Sequence, residues 1–190
     1  MNENHALCAS EEWAEHLHHD VLEPLLAPLD LGASLLEIGP GPGAATDWLR
    51  HRVERLVALE VDPEAAERLR ARFAGTNVVV QVGDATSLDF ADSMFDSVGT
   101  FTMLHHLPTT AAQNRVLSEA FRVLCPGGVL IGSDSLASTG LHDFHEGDVY
   151  NPVEPAALVI RLQMIGFGSL TVSVGDDLRF VAHKPTEDAE

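Results

Sequence analysis

The sequence is poor in the residues that cross-link a chain, anchor it in lipid or tether it to a polyanion. Its only cysteines, Cys8 and Cys125, form no metal-ligand or redox spacing. Both are expected to be reduced thiols, with Cys125 partly buried near a turn. No run of 18 or more apolar residues occurs, which removes a membrane-spanning helix. The opening segment MNENHALCASEEWAEHLHHD lacks the basic-then-apolar layout of a signal peptide, so a soluble cytoplasmic protein with no membrane partner is expected. Positive charge is scarce: 11 Lys and Arg stand against 29 Asp and Glu, a formal net charge of -18. That balance repels phosphodiester backbones and anionic lipid, which disfavours a nucleic-acid partner. The one basic cluster, Arg50, His51, Arg52 and Arg55, reads as the solvated end of a helix.

What remains is ordinary globular material. A hydrophobic content of 45% over 190 residues suits one domain, residues 1–190, burying roughly 70% of its unfolded surface. No repeat, low-complexity tract or long linker divides it, and oligomeric state leaves no mark. Strand and helix patterns alternate. SLLEI (34–38), RLVALEV (55–61), NVVVQVG (77–83), MFDSVGTFT (94–102) and VLIGSDS (129–135) read as five strands, the third as buried on both faces. Helices are expected at 10–28, broken at Pro24 and Pro28, at 44–52, from Pro63, from Pro108 and at 154–167. GSLTVSVGDDLRFVAHK (168–184) reads as an antiparallel hairpin. The expected fold is α/β, a doubly wound, mostly parallel sheet closed by that C-terminal hairpin.

In such sheets ligands bind beyond the carboxyl ends of the parallel strands. The first strand runs into Gly39-Pro40-Gly41-Pro42-Gly43, whose glycines let backbone approach a ligand closely. A nicotinamide-binding turn follows the same logic, but a diphosphate profits from positive potential, and here Glu37 precedes the first glycine. A carboxylate there suits a cationic ligand. The second strand ends at Glu60, placed to accept from both hydroxyls of a ribose, with Asp62 as the competing candidate. The third ends at Gly83-Asp84-Ala85, where Asp84 can accept from an exocyclic amine or simply form a turn. Three acids at successive strand ends beside a glycine loop describe a pocket for a nucleoside bearing a positive group.

LLEIGPGPG, VALEVDPE, VQVGDATSL, FDSVGTFTMLHHL and RVLCPGGVLI, in that order over residues 34 to about 134, resemble the successive motifs of class I S-adenosylmethionine-dependent methyltransferases, in particular the small-molecule, type 11-like kind. The resemblance implies a Rossmann-like seven-stranded sheet and S-adenosylmethionine as cofactor. It implies that Gly39, Gly41 and Gly43 pack under the methionine part, with Glu37 near its amino group. Glu60 would serve the ribose, with the adjoining Val61 also at the cofactor, Asp84 and the backbone of Ala85 the adenine, and Thr102 and Leu104 the cofactor's other side. The family more often has aspartate where Glu60 stands. The region 1–33 would be a helical cap and 136–153 the acceptor-side loop.

Methyl transfer from a sulfonium is an in-line displacement, so positioning the acceptor and excluding water are the protein's main tasks. A base helps when the acceptor is a hydroxyl, thiol or acidic carbon. His105 and His106, just past the fourth strand, are the candidates, with packing against the next helix as the competing reading. Asp134, ending the fifth strand, can face the acceptor too. In LHDFHEGDVYNP (141–152), His142, His145 and Tyr150 are expected to contact substrate and Phe144 to add apolar surface. No motif there fixes a metal geometry, so no metal is expected, although His142-x-x-His145 could set two imidazoles on one helical turn. His16, His18 and His19 read as a solvated helical face. The expected function is methyl transfer from S-adenosylmethionine to a small-molecule acceptor. A non-catalytic module binding S-adenosylmethionine or S-adenosylhomocysteine for regulation is the alternative, and a NAD-dependent oxidoreductase a distant third.

Overall fold

The computed structural model describes residues 7–186. The first part of the expected cap and of the amino-terminal segment, residues 1–6, therefore lies outside the described residues. Seven strands form one sheet: β1 (Ser34–Ile38), β2 (Arg55–Glu60), β3 (Val78–Val82), β4 (Phe95–Phe101), β5 (Leu124–Ser135), β6 (Leu170–Val174) and β7 (Asp177–His183). Their spatial order is β3-β2-β1-β4-β5-β7-β6, with β7 antiparallel to both β5 and β6 and every other pairing parallel. Chain order reverses between β1 and β4, so the crevice beyond their carboxyl ends is the topological switch point.

Alternation along each strand feeds two apolar layers. Leu36, Ile38, Val57 and Leu59 face one core, which also holds Leu117, Leu158 and Phe180. Leu35, Leu56 and Ala58 face the other, with Leu49, Leu69 and Phe73. Several starts and stops follow the local chemistry. Asp62 caps α4 (Pro63–Arg72), accepting from the Glu64 and Ala65 amides, and Pro63 occupies the first turn, where its missing N–H costs nothing. Glu154 and Pro155 do the same for α7 (Pro155–Ile165), which ends at Gly166 with φ 119°. The helix expected from Pro108 begins two residues later: Thr109 caps α5 (Thr110–Val123) by accepting from the Ala112 amide.

Four expectations are corrected. The β3 run is not buried on both faces. It is the sheet's edge, with Val79 and Val82 each more than 40% exposed, because a β-branched run reads alike at the edge and in the centre. Pro24 does not break the first helix. Ser10 caps α1 (Glu11–His16), the chain widens into a π-helical turn (Leu17–Leu22), and α2 (Glu23–Leu26) follows directly, with Pro24 in its first turn. The helix expected over 44–52 is the shorter α3 (Ala44–Leu49). Arg50 beyond it pairs with Asp47 at 2.9 Å, Arg52 lies over the Trp48 ring, and Arg55 starts β2, so the basic cluster is divided among three local partners or elements. The loop after β5 is also less irregular than expected, since it contains α6 (Thr139–Phe144), capped by Ser138. Among the described residues, no helix is long and apolar enough to cross a membrane.

Candidate active site

Two cavities open at the carboxyl edge of the sheet. The first, about 420 Å³, lies at the switch point and takes in the glycine loop and the ends of β1, β2, β3 and β4. Its polar lining includes groups from successive strand ends, Glu37, Glu60, Asp84 and Thr102. The second, about 400 Å³, is lined by His105, His106 and His145 together with residues of α1 and α6. Thr102, His106, Cys8 and Trp13 border both, so the two spaces adjoin.

Glu37 is 1% exposed and shares the Leu35 face of β1, where the Thr46 hydroxyl of α3 donates to its Oε2 at 2.6 Å. Burial, assisted by the charge of Glu60, pushes its pKa up to about 7, against a smaller lowering by the Thr46 bond. The expectation of a fixed negative charge is thus modified: around neutral pH Glu37 is only partly ionised, and an approaching cation would favour its carboxylate form. Glu60 ends β2 inside the cavity, its Oε1 accepting from the Asp62 amide at 3.0 Å. Asp62 also borders the cavity, but its Oδ1 is engaged in capping α4. Asp84 lies at the mouth, its pKa lowered by bonds from the Thr86 amide and hydroxyl, so the turn-forming role expected of it is present. Val61, 70% exposed, and Ala85 add apolar surface beside it.

The glycines divide the work. Gly39 has φ 69°, and an added Cβ would stand 2.3 Å from Met103 Cγ, so the loop packs tightly on the β4 exit. Gly41 has φ 54° with nothing within 4 Å of an added Cβ, leaving a bare backbone bordering the cavity. Gly43 does not border it. As the left-handed N-cap of α3 it lets α4 close in, since a Cβ there would meet the Phe73 ring at 2.8 Å and Leu69 at 2.9 Å. Leu104 is likewise outside, fully buried in the core, and its neighbours Met103 and Leu107 line the cavity instead. Thr102 has φ 51°, an unusual conformation for threonine, held by its amide donating to the Ser133 carbonyl. Trp13 and Leu17 cover the cavity from the N-terminal helices, and Asp148 and Val149 from the loop after α6. None of the four was anticipated; Trp13, in a segment expected to form a cap, was the one available sign.

On the other side, His105 follows β4 in a short 3₁₀ turn, Leu104–His106, and its Nδ1 meets Asp134 Oδ1 at 2.6 Å. Both residues are buried, and Asp134 Oδ1 also accepts from the Ser135 amide. Asp134 Oδ2 is buried without a hydrogen-bond partner among the described residues. Asp134 does not line either cavity; it backs His105. His145 comes to His105 and His106 from the end of α6, with ring centroids 5.0 and 5.3 Å away. Tyr150 stacks on His145 at 4.6 Å behind the cavity wall, and burial pushes its hydroxyl pKa up. His142 is not brought in: its side chain is 79% exposed and faces Asp143. Phe144 lines the second cavity as expected. His16 and His19 pair with Asp20 and Glu23 on an exposed face, although His16 also borders the second cavity.

Comparison with known proteins agrees with this geometry. The family described as a methyltransferase domain matches residues 36–132. A probable S-adenosylmethionine-dependent methyltransferase of Mycolicibacterium smegmatis is 33% identical over 115 residues, 60% of this chain and 43% of that protein. Ribosomal RNA small subunit methyltransferase A of Acidobacterium capsulatum is 52% identical over 56 residues, 29% of this chain and 20% of that protein. The matched part of the chain spans less than half the length of either relative. Among solved structures, N-methyltransferase NodS from Bradyrhizobium japonicum WM9, in complex with S-adenosyl-L-homocysteine, has the same fold. Its TM-score is 0.74 at 20% identity, over 97% of this chain and 93% of that one. With half of its length inside the family match, and the strand order and glycine-loop cavity described above, the chain belongs to the class I S-adenosylmethionine-dependent methyltransferases.

Proposed function

We propose that the protein transfers a methyl group from S-adenosylmethionine, bound in the first cavity, to a small molecule held in the second. The observation that carries this reading is the adjacency of the two cavities, which share Thr102 and His106. Both volumes fall in the range of about 300 to 1,000 Å³ usual for small-molecule sites. The residues of the first cavity fit the cofactor's chemistry. The bare backbone at Gly41 admits close approach, Glu37 receives the ammonium, and Glu60 accepts from the ribose hydroxyls. Asp84 and the Ala85 backbone meet the adenine edge beside Val61, and Thr102 faces the opposite side. S-adenosylmethionine supplies an electrophilic methyl on a positively charged sulfur.

The protein's part is then to align the acceptor, keep water out and manage one proton. The Asp134 carboxylate fixes the His105 ring by accepting from Nδ1–H, which makes Nε2 the nitrogen able to take a proton from an acceptor. Trp13 and Leu17 close the cofactor side, and the 136–153 segment forms the acceptor-side wall of one methyltransferase domain. A small acceptor is favoured over RNA by the chain's net charge of -18. A regulatory module that merely binds the nucleoside has no need of the second, histidine-lined chamber.

Calorimetric titration with S-adenosylhomocysteine, S-adenosylmethionine and NAD tests the reading, followed by a panel of small hydroxyl, thiol and amine acceptors. The sulfur nucleosides should bind at one per chain and NAD should not. Failure of both sulfur nucleosides to bind would overturn the reading; binding without transfer to any acceptor would favour the regulatory module.

A further inference from the structure

We infer that His105, His106 and His145 form a divalent transition-metal site, of the kind zinc occupies, at the acceptor end of the second cavity. Each can place one ring nitrogen within 4.8 Å of the other two, and all three line that cavity. Three imidazole nitrogens sharing one zinc at 2.0–2.1 Å stand about 3.3 Å apart, so small side-chain rotations close the set. The supporting contacts are those that metal-ligating histidines use. His105 Nδ1 lies 2.6 Å from the buried Asp134 carboxylate, and His145 Nδ1 lies 2.7 Å from the Leu141 carbonyl. When each Nδ1–H donates, the lone pair rests on Nε2, and the anchored ring is held ready for a cation.

The electrostatics point the same way. Asp134 is 0% exposed and its Oδ2 has no hydrogen-bond partner among the described residues, so a buried carboxylate sits directly behind the ligand set. A cation on the imidazoles would offset that charge. Three neutral nitrogen ligands leave a fourth tetrahedral position, which is the arrangement of catalytic rather than structural zinc. Open to the cavity, that position would take an oxygen or sulfur donor of the acceptor and lower its pKa. This part alone rests on the methyl-transfer reading, where His105 then serves as a ligand. Metal binding itself does not depend on that reading. The second cluster of possible ligands, His18, His19 and Glu23, lacks these supports: His19 and Glu23 are exposed and pair with each other on a helix surface.

The test uses the full untagged chain, stripped with a chelator and titrated with Zn²⁺ by calorimetry and with Co²⁺ by visible absorption. One equivalent should bind, with the intense d–d bands of a four-coordinate cobalt site. His145→Ala and His106→Ala should each weaken binding by at least about tenfold, and Asp134→Asn by about 10 to 100-fold, as loss of a supporting carboxylate does. His142→Ala and His19→Ala should leave it unchanged. S-adenosylhomocysteine titration of every variant reports whether the fold and cofactor cavity survive, and its failure in the parent chain would count against the cofactor reading alone. No stoichiometric binding, or binding lost in His19→Ala and kept in His145→Ala, would overturn the inference.

Discussion

The first cavity draws Glu37, Glu60 and Asp84 from the ends of three successive strands, and its shape is set by backbone, above all the positive φ of Gly39 and Gly41. The second draws His105 and His106 from the turn after β4 and His145 from the far end of an insertion, and ring against ring sets its shape. A backbone-built site is as rigid as the sheet and suits a ligand that never changes. A site built from side chains across an insertion can be altered without disturbing the sheet, which is what a variable acceptor requires. The buried acids behind the two sites differ in the same sense. Glu37 carries a raised pKa of about 7 and is bonded by one hydroxyl, whereas Asp134 is matched to an imidazole.

Substitution at His105 should break this comparison most strongly. His105→Ala is expected to lower transfer to any acceptor by about 10² to 10⁴-fold, the range for loss of a positioned acid or base. The dissociation constant for S-adenosylhomocysteine should change less than about threefold, because the core beneath the first cavity does not use that ring. Single-turnover transfer beside calorimetry makes the separation. An equal loss in both would mean that the two cavities are one energetic unit.

Glu37→Gln should invert the pattern. Loss of a charge-assisted contact to the ligand ammonium costs about 1.5 to 3 kcal/mol, so affinity for S-adenosylhomocysteine should fall about 10 to 100-fold. The unliganded fold should gain. The folded pKa of about 7 lies above the ordinary 4.5, so the fold holds this proton more tightly than the unfolded chain does. Stability from this group is therefore fully present below pH 4.5, is lost as pH climbs towards 7, and stays lost above. Gln cannot ionise and can still accept from Thr46. Urea unfolding at pH 8 should show the variant about 1 to 3 kcal/mol more stable than the parent, and at pH 4 nearly equal to it. The same titration predicts a pH-dependent affinity in the parent. Between pH 6 and 7.5 the dissociation constant should fall as Glu37 gives up its proton, and calorimetry in buffers of different ionisation heat should record proton release. Glu37→Gln should remove both signals.

What the sequence made legible follows the same division. Apolar, β-branched runs located β1, β2 and β4 to within a residue at each end, and the acids at strand ends were visible because a parallel sheet places its ligand there. Sheet order was not visible, which is why β3 looked central. Within the motifs, position was legible and orientation was not. Gly43 and Leu104 stand in the right segments yet face α4 and the core, while Met103 and Leu107 face the cavity. The histidine cluster was hidden for a different reason: which of His142 and His145 turns inward depends on α6, whose six residues gave no period to read. Trp13 and Leu17 reach the first cavity through a helix that continues past Pro24 by widening into a π-turn, a detail no helical propensity encodes.

The smallest effect expected separates Glu60 from its neighbour. Both Glu60 and Asp62 border the first cavity, and from sequence either could accept from a ribose. Their present bonds differ in kind. Asp62 accepts from the Glu64 amide at 2.8 Å and the Ala65 amide at 3.3 Å, two donors that α4 cannot satisfy internally. Among the described residues Glu60 accepts a single bond, from the Asp62 amide, through Oε1. Asn caps a helix about as well as Asp, so Asp62→Asn should shift stability by no more than about 0.5 kcal/mol. It should move S-adenosylhomocysteine affinity by less than about threefold. Glu60→Gln keeps the shape but weakens two charge-assisted acceptors, so the same titration should show a loss of about tenfold or more. If Asp62→Asn proves the costlier of the two, the ribose lies two residues beyond the strand, and the cap and the ligand share a carboxylate.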